Sequence, residues 1–235
     1  LAFLVGMIIC FTIWNPIFNF LTQPLCSAMA LKGHEDCGLI LIRLQEGFFV
    51  AISNSLMGGL VLSFPFIGYQ LWRFVAPGLY KKEKNAFLPF LLATPVLFLL
   101  GAAMAYYMAI PVALKYLLGF GGIVGGVQQE ALPGVDNYLS FVMKFIFGFG
   151  ISFLLPVLLM LLERAGLVTL EQLRGARRYA IVGMFAIAAV LTPPDIVSQL
   201  LLAIPLCMLF ELALIAIWFT RRRRKKAASV EEAAT

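Results

Sequence analysis

Glu211 stands inside an apolar run, after Leu209-Phe210 and before Leu212-Ala213. A charged carboxylate among such neighbours is expensive at membrane depth, so it must be protonated, paired or facing water. Two readings are open. It lines a protein-walled polar cavity, or it stays neutral and makes an interhelical hydrogen bond. Gln199 lies 12 residues earlier, too far for direct contact along one helix. Gln70 ends another apolar run, at the level of the headgroups, and Lys144 can snorkel to the interface. The remaining chemical inventory is thin. The chain has one His, so an HExxH zinc site is impossible. It has no CxxC pair, no GxSxG elbow and no phosphate loop. Residues 119–126 are Gly-rich but lack the Lys and the following helix that a phosphate cradle needs, and they read as a flexible loop. No metal, cofactor or catalytic set is expected, and the chain does not read as an enzyme.

A second cluster is Trp72-Arg73-Phe74-Val75-Ala76-Pro77-Gly78-Leu79-Tyr80-Lys81-Lys82-Glu83-Lys84. Pro77-Gly78 is a turn signal, and Trp72, Phe74 and Tyr80 suit an interfacial anchor. Glu83 is the one acid among four cations, and it could simply neutralise lysines on a solvated face. Cys26 and Cys37 share a loop of their own. A disulfide between them and a pair of free thiols both remain open, because sequence does not supply the Cα distance. Cys10 and Cys207 fall in apolar runs and read as small buried residues.

The elements that position these residues follow from composition. The chain is 62% apolar and 13% charged, against about half and a quarter in a soluble domain. A soluble core of this length could not hide that much apolar surface, so the bilayer is the expected solvent. A span needs about 20 apolar residues. Six are read: 1–14, as the truncated remnant of the first, then 48–72, 86–114, 138–162, 179–191 and 199–219. A signal peptide is the lesser reading of the opening run, which is long for an h-region and interrupted by Trp14, Asn15 and Pro16. Between the spans come a mixed loop (16–47), two basic loops (73–85 and 163–178), a Gly-rich loop (115–137) and a turn on Pro193-Pro194. Residues 1–219 form the membrane domain. Residues 220–235 are read as a disordered basic tail. Spans five and six are read as short. Prolines, Pro65 among them, recur in the full-length spans. They either bend helices around a concavity or reflect their usual frequency in membrane helices.

Charge sets the topology. Fourteen of the 18 lysines and arginines fall in the two basic loops and the tail, and three on the other side. The positive-inside rule puts the rich segments, and with them both termini, in the cytoplasm. The net charge of +6 is spread between apolar runs, so no nucleic-acid partner is expected. The loop with Cys26 and Cys37 then faces the oxidising side, where a disulfide can persist.

Three segments carry a resemblance. Residues 69–80 with Glu83, the stretch Leu191-Thr192-Pro193-Pro194-Asp195-Ile196-Val197-Ser198-Gln199 with Pro205 and Phe210-Glu211, and Tyr138-Leu139-Ser140-Phe141-Val142 are similar to TatC. That family is the multispanning receptor subunit of the twin-arginine protein translocase. The similarity runs from about Pro24 to Phe219. It implies an all-α, six-span, cup-like protein of the bacterial inner membrane with cytoplasmic termini, and structural roles for Pro24, Pro65, Pro193 and Pro194. It implies folded precursors with Arg-Arg signal peptides as substrates, moved by the proton-motive force. Partners would be TatA-type and TatB-type single-span subunits, membrane lipid and further copies of the chain. Arg73, Pro77, Gly78, Tyr80 and Glu83 would serve signal-peptide binding. Gln70, Asp195, Gln199 and Glu211 would serve contacts within the membrane. The chain departs from the family in two respects. Its sequence lacks the family's N-terminal cytoplasmic segment, and it carries Leu154 where a Glu or Gln is common. A small-solute secondary transporter is the competing reading, but no half-to-half similarity is visible.

Overall fold

The computed structural model describes residues 2–30, 38–75, 81–119, 122–124, 127–129, 133–192 and 195–232. Its elements, in order, are α1 (Ala2–Thr12), α2 (Trp14–Ala30), α3 (Glu46–Val75), α4 (Lys81–Met104), a π-turn (Ala105–Ala109), α5 (Ile110–Leu118), β1 (Gly122–Val124) and β2 (Val127–Gln129). They continue with α6 (Val135–Ser152), α7 (Leu155–Arg164), α8 (Leu170–Gly175), α9 (Arg177–Leu191) and α10 (Ile196–Glu232). The chain is an all-α polytopic bundle, with β1 and β2 as a small antiparallel hairpin outside it.

Prolines explain where the helices break. A proline lacks the N–H that would reach residue i−4, and its ring crowds that carbonyl. The 77° bend between α1 and α2 falls three to four residues before Pro16. The π-turn contains Tyr107, four residues before Pro111. The gap between α6 and α7 at Phe153-Leu154 follows Ser152, four residues before Pro156. Pro24, Pro65 and Pro205 instead sit inside continuous helices.

Among the described residues, four stretches are long and apolar enough to cross a membrane: Glu46–Gln70, Ala93–Leu118, Val135–Arg164 and Ile196–Arg222. The bent pair α1 and α2 supplies a fifth if it is one span. α9 has 15 residues, or roughly 22 Å, and is the short segment the sequence suggested.

Several boundaries differ from expectation. Residues 16–30 were assigned to a loop, yet α2 runs to Ala30. Leu21, Leu25 and Ala28 recur at helical spacing and are buried, and that period outweighs the interspersed Asn, Thr and Gln. Within the second basic loop, α8 begins at Thr169. The Thr169 hydroxyl accepts from Gln172 N, while Thr169 N donates to the Gln172 side chain. Gly166 adopts φ 72° just after α7, and its N–H bonds to the Glu163 carbonyl, closing that helix as only a glycine does readily. Span six is not short. The tail expected to be disordered continues α10 to Glu232, because no Gly or Pro follows Pro205 and Arg, Lys, Ala and Glu are good helix formers. The Gly-rich loop carries the hairpin, in which Ile123 pairs with Gln128.

Lipid does not drive apolar helices together, so their contacts depend on close packing at small residues. α1 lies on α3 with its backbone almost touching. A Cβ on Gly59 would sit 2.7 Å from Met7 N, and one on Gly58 would sit 2.8 Å from the Cys10 sulfur. Glycines also seat α4 on α6. A Cβ on Gly101 would lie 2.6 Å from the Phe149 carbonyl oxygen, and one on Gly150 would lie 2.6 Å from the Phe98 ring. Phe98, Phe145 and Phe149 are among the most buried side chains.

Two tyrosines strap α2 to this core. Tyr138 donates to the Leu21 carbonyl at 2.7 Å, and Tyr106 donates to the Phe20 carbonyl at 2.5 Å. Both bonds satisfy buried phenols in an apolar setting.

Candidate functional site

Around the first basic loop, α3 ends at Val75 and α4 begins at Lys81. Gln70 is exposed near the end of α3, and Arg73 is exposed in its last turn. Glu83 falls in the first turn of α4. Pro77, Gly78 and Tyr80 lie outside the described residues.

At the opposite end, the start of α10 carries polar groups, of which Ser198 is buried, as is Thr192 at the close of α9. The Asp195 carboxylate accepts from Ser198 N at 2.7 Å and caps α10. Its second oxygen, Oδ2, is buried without a partner among the described residues, as is the hydroxyl of Ser198. Gln199 donates its side-chain amide to the Phe185 carbonyl of α9 at 3.3 Å. Thr192 bonds back to Ala188 at the end of α9. Pro193 and Pro194 lie outside the described residues. Ser198 belongs to the 191–199 stretch but carries no expected contact role there. Its signal is its place three residues after Asp195, the spacing at which a cap meets its donor.

Glu211 does not join this cluster. It pairs with Arg177 at 2.9 Å, and the two side chains are 44% and 47% exposed. Glu211 is the sixteenth of the 27 residues of the span Ile196–Arg222 and so stays near mid-span. Glu211 lies 15 residues into α10, roughly 23 Å, and α9 is nearly as long. Antiparallel packing of the two helices therefore sets Glu211 level with Arg177 at the start of α9. It pairs with Arg177 and not with Gln199, which bonds to Phe185 instead. Arg221 reaches Glu163 at 3.6 Å and Glu171 at 3.5 Å, tying α10 to α7 and α8.

A further acid was passed over in the sequence. Glu46 opens α3 and is 7% exposed. It accepts from Ile42 N at 2.6 Å, Arg43 N at 3.0 Å and Asp136 N at 2.8 Å. It thus joins the starts of α3 and α6, next to the pairing of Ile40 with Gly134. Its signal is an acid immediately before an apolar run, a helix-start mark.

Cys26 is disulfide-bonded, and Cys10 and Cys207 are free thiols. Cys37 lies outside the described residues. Lys144 is exposed on α6. Among the described residues no group of three or more His, Cys, Asp or Glu could hold a metal ion.

The sequence pattern of the family described as Sec-independent protein translocase protein (TatC) matches residues 1–205. The chain belongs to the TatC family. TatC of Magnetococcus marinus is 44% identical over 236 residues, covering 99% of this chain and 82% of that protein. TatC of Aquifex aeolicus is 41% identical over 228 residues, covering 96% and 91%. A crystal structure of the twin-arginine translocase receptor TatC superposes with a TM-score of 0.77 at 41% identity, covering 91% of this chain and 90% of that one. A second, in DDM, gives 0.79 and covers 92% of each. The chain is therefore a multi-pass membrane protein and a subunit of the twin-arginine protein translocase. The small-solute transporter reading gives way to this one.

Proposed function

We propose that this TatC-family chain is the receptor of the translocase. It binds the Arg-Arg signal peptides of folded precursors on the cytoplasmic face of the inner membrane and nucleates the complex that exports them with the proton-motive force. Both termini are cytoplasmic, as the clustering of lysine and arginine suggests. The chain works without a catalytic step of its own, as a binding and assembly platform and as one of several copies in the complex.

The observation that carries this reading is the place of Glu83. It is the third residue of α4, within the Lys/Arg-rich stretch that follows α3. Two guanidinium groups present forked donors that match a carboxylate in geometry and sign. Arg73, Pro77, Gly78 and Tyr80, of the same loop sequence, are assigned to signal-peptide binding with it. TatB-type and TatA-type single-span subunits dock within the membrane against the polar residues of α10 and the end of α3: Asp195, Gln199, Glu211 and Gln70. The unpartnered Asp195 oxygen and Ser198 hydroxyl favour a partner that brings a polar side chain.

The test is photo-crosslinking of an Arg-Arg signal peptide to the whole chain in membranes. Glu83→Ala is expected to cut crosslinking roughly tenfold, the worth of one charge-assisted hydrogen-bond pair, with the amount of protein in the membrane unchanged. Unaltered crosslinking and export would overturn the assignment.

A further inference from the structure

Two cavities meet at the π-turn. One, of about 460 Å³, lies among α1, α2, α3, α4 and α6 and is lined by apolar side chains together with Asn54, Tyr106 and Tyr107. The other, of about 320 Å³, lies between α2 and α5 and contains Gln23, Ser27 and Lys115. Tyr106 and Tyr107 line both, so the two adjoin along a groove whose one end is largely apolar and whose other end is polar.

The groove follows one helical face. Leu99, Ala103, Tyr107, Pro111 and Lys115 succeed each other at intervals of four along α4 and α5. On the facing α2, Ile17 and Phe20 lie at the apolar end, and Gln23 and Ser27 at the polar end. From Leu99 to Lys115 the rise is roughly 24 Å at 1.5 Å per residue. One leaflet with its headgroups measures roughly 20–22 Å, half of a bilayer. The polar end sits at the close of the span Ala93–Leu118, on the side opposite the basic loops. Lys115 is exposed there, and among the described residues no carboxylate lies within salt-bridge distance of it.

We infer that this groove holds one glycerophospholipid of the leaflet opposite the basic loops, with an acyl chain in the apolar chamber and the anionic phosphate at Lys115, Gln23 and Ser27. Charge complementarity and length select this occupant. A helix 10–12 Å across would fill 460 Å³ in about one turn, so the chamber suits a chain and not a second helix. The Tyr106 bond to the Phe20 carbonyl and its ring stacking on Phe20 at 4.3 Å hold α2 beside the groove. A π-turn at such a place accords with the tendency of these turns to mark functional sites. A bound lipid would brace α2 against α4 and α5 from within the membrane.

Native mass spectrometry of the whole chain in mild detergent tests this, with phosphatidylglycerol and phosphatidylcholine titrated in parallel. The unmodified chain is expected to hold one phosphatidylglycerol in preference to phosphatidylcholine. Lys115→Gln should weaken phosphatidylglycerol binding roughly fivefold, the worth of one cation at an anionic headgroup, and leave phosphatidylcholine unchanged. Ala103→Phe, at an exposed lining position, should remove binding of both lipids, while the melting temperature in detergent stays near that of the unmodified chain. Equal retention of both lipids by the unmodified chain, or retention unaffected by either substitution, would overturn the assignment. So would recovery of a peptide in place of lipid.

Discussion

Glu211 and Arg177 are each nearly half exposed, which limits what their 2.9 Å contact contributes. Exposed ion pairs couple by about 0.2–1 kcal/mol. A double-mutant cycle on Arg177→Ala and Glu211→Ala, read by thermal unfolding in detergent, should give a coupling in that range, with the double variant no worse than the sum of the singles. A coupling of zero would mean that the pair is incidental. The polarity of Glu211 was legible from its apolar neighbours. Its partner was not, because Arg177 lies 34 residues away and meets it only once the turn before α10 has set the antiparallel register. The same holds for Glu46, whose third donor, Asp136 N, is 90 residues distant. Cysteine oxidation belongs at this scale as well. We expect Cys26 to be bonded to Cys37 in membranes, a closure worth about 2–4 kcal/mol in a small loop. Alkylation read by intact mass should gain two labels on reduction. Two loop thiols already labelled without reductant would reject the bond.

At the scale of elements, prolines and glycines govern the architecture. The breaks before Pro16, Pro111 and Pro156 fall where a missing N–H and a crowded carbonyl require them. The sequence signalled bends but not which prolines would break a helix, since Pro65 and Pro205 are accommodated without interruption. α2 was missed because its polar residues mimic a loop, although its apolar residues keep a helical period. The glycine contacts are testable. Gly59→Ala places a Cβ 2.7 Å from the backbone of α1, and backbone yields less easily than a flexible side chain. It should destabilise the fold by about 1–3 kcal/mol, as overpacking does, and lower the melting temperature in detergent. Gly68→Ala, where a Cβ meets nothing within 4 Å, is the control and should leave the melting temperature nearly unchanged.

For the whole molecule, membrane residence and fold class were legible because both are sums over many residues: the apolar fraction, the span lengths and the uneven placement of lysine and arginine. The extent of α10 was less legible. Charge in the tail suggested disorder, while helix propensity continued the helix. Membership of the TatC family rests on residues spread along 1–205 and on the superposed crystal structures. The central claim is that this assembly recognises the paired arginines of a signal peptide. Immobilised Arg-Arg and Lys-Lys versions of one signal peptide, offered to the chain from solubilised membranes, test it most directly. Lysine keeps the charge but lacks the forked donors. We predict roughly tenfold greater retention on the Arg-Arg peptide, and equal retention on the two would contradict the account.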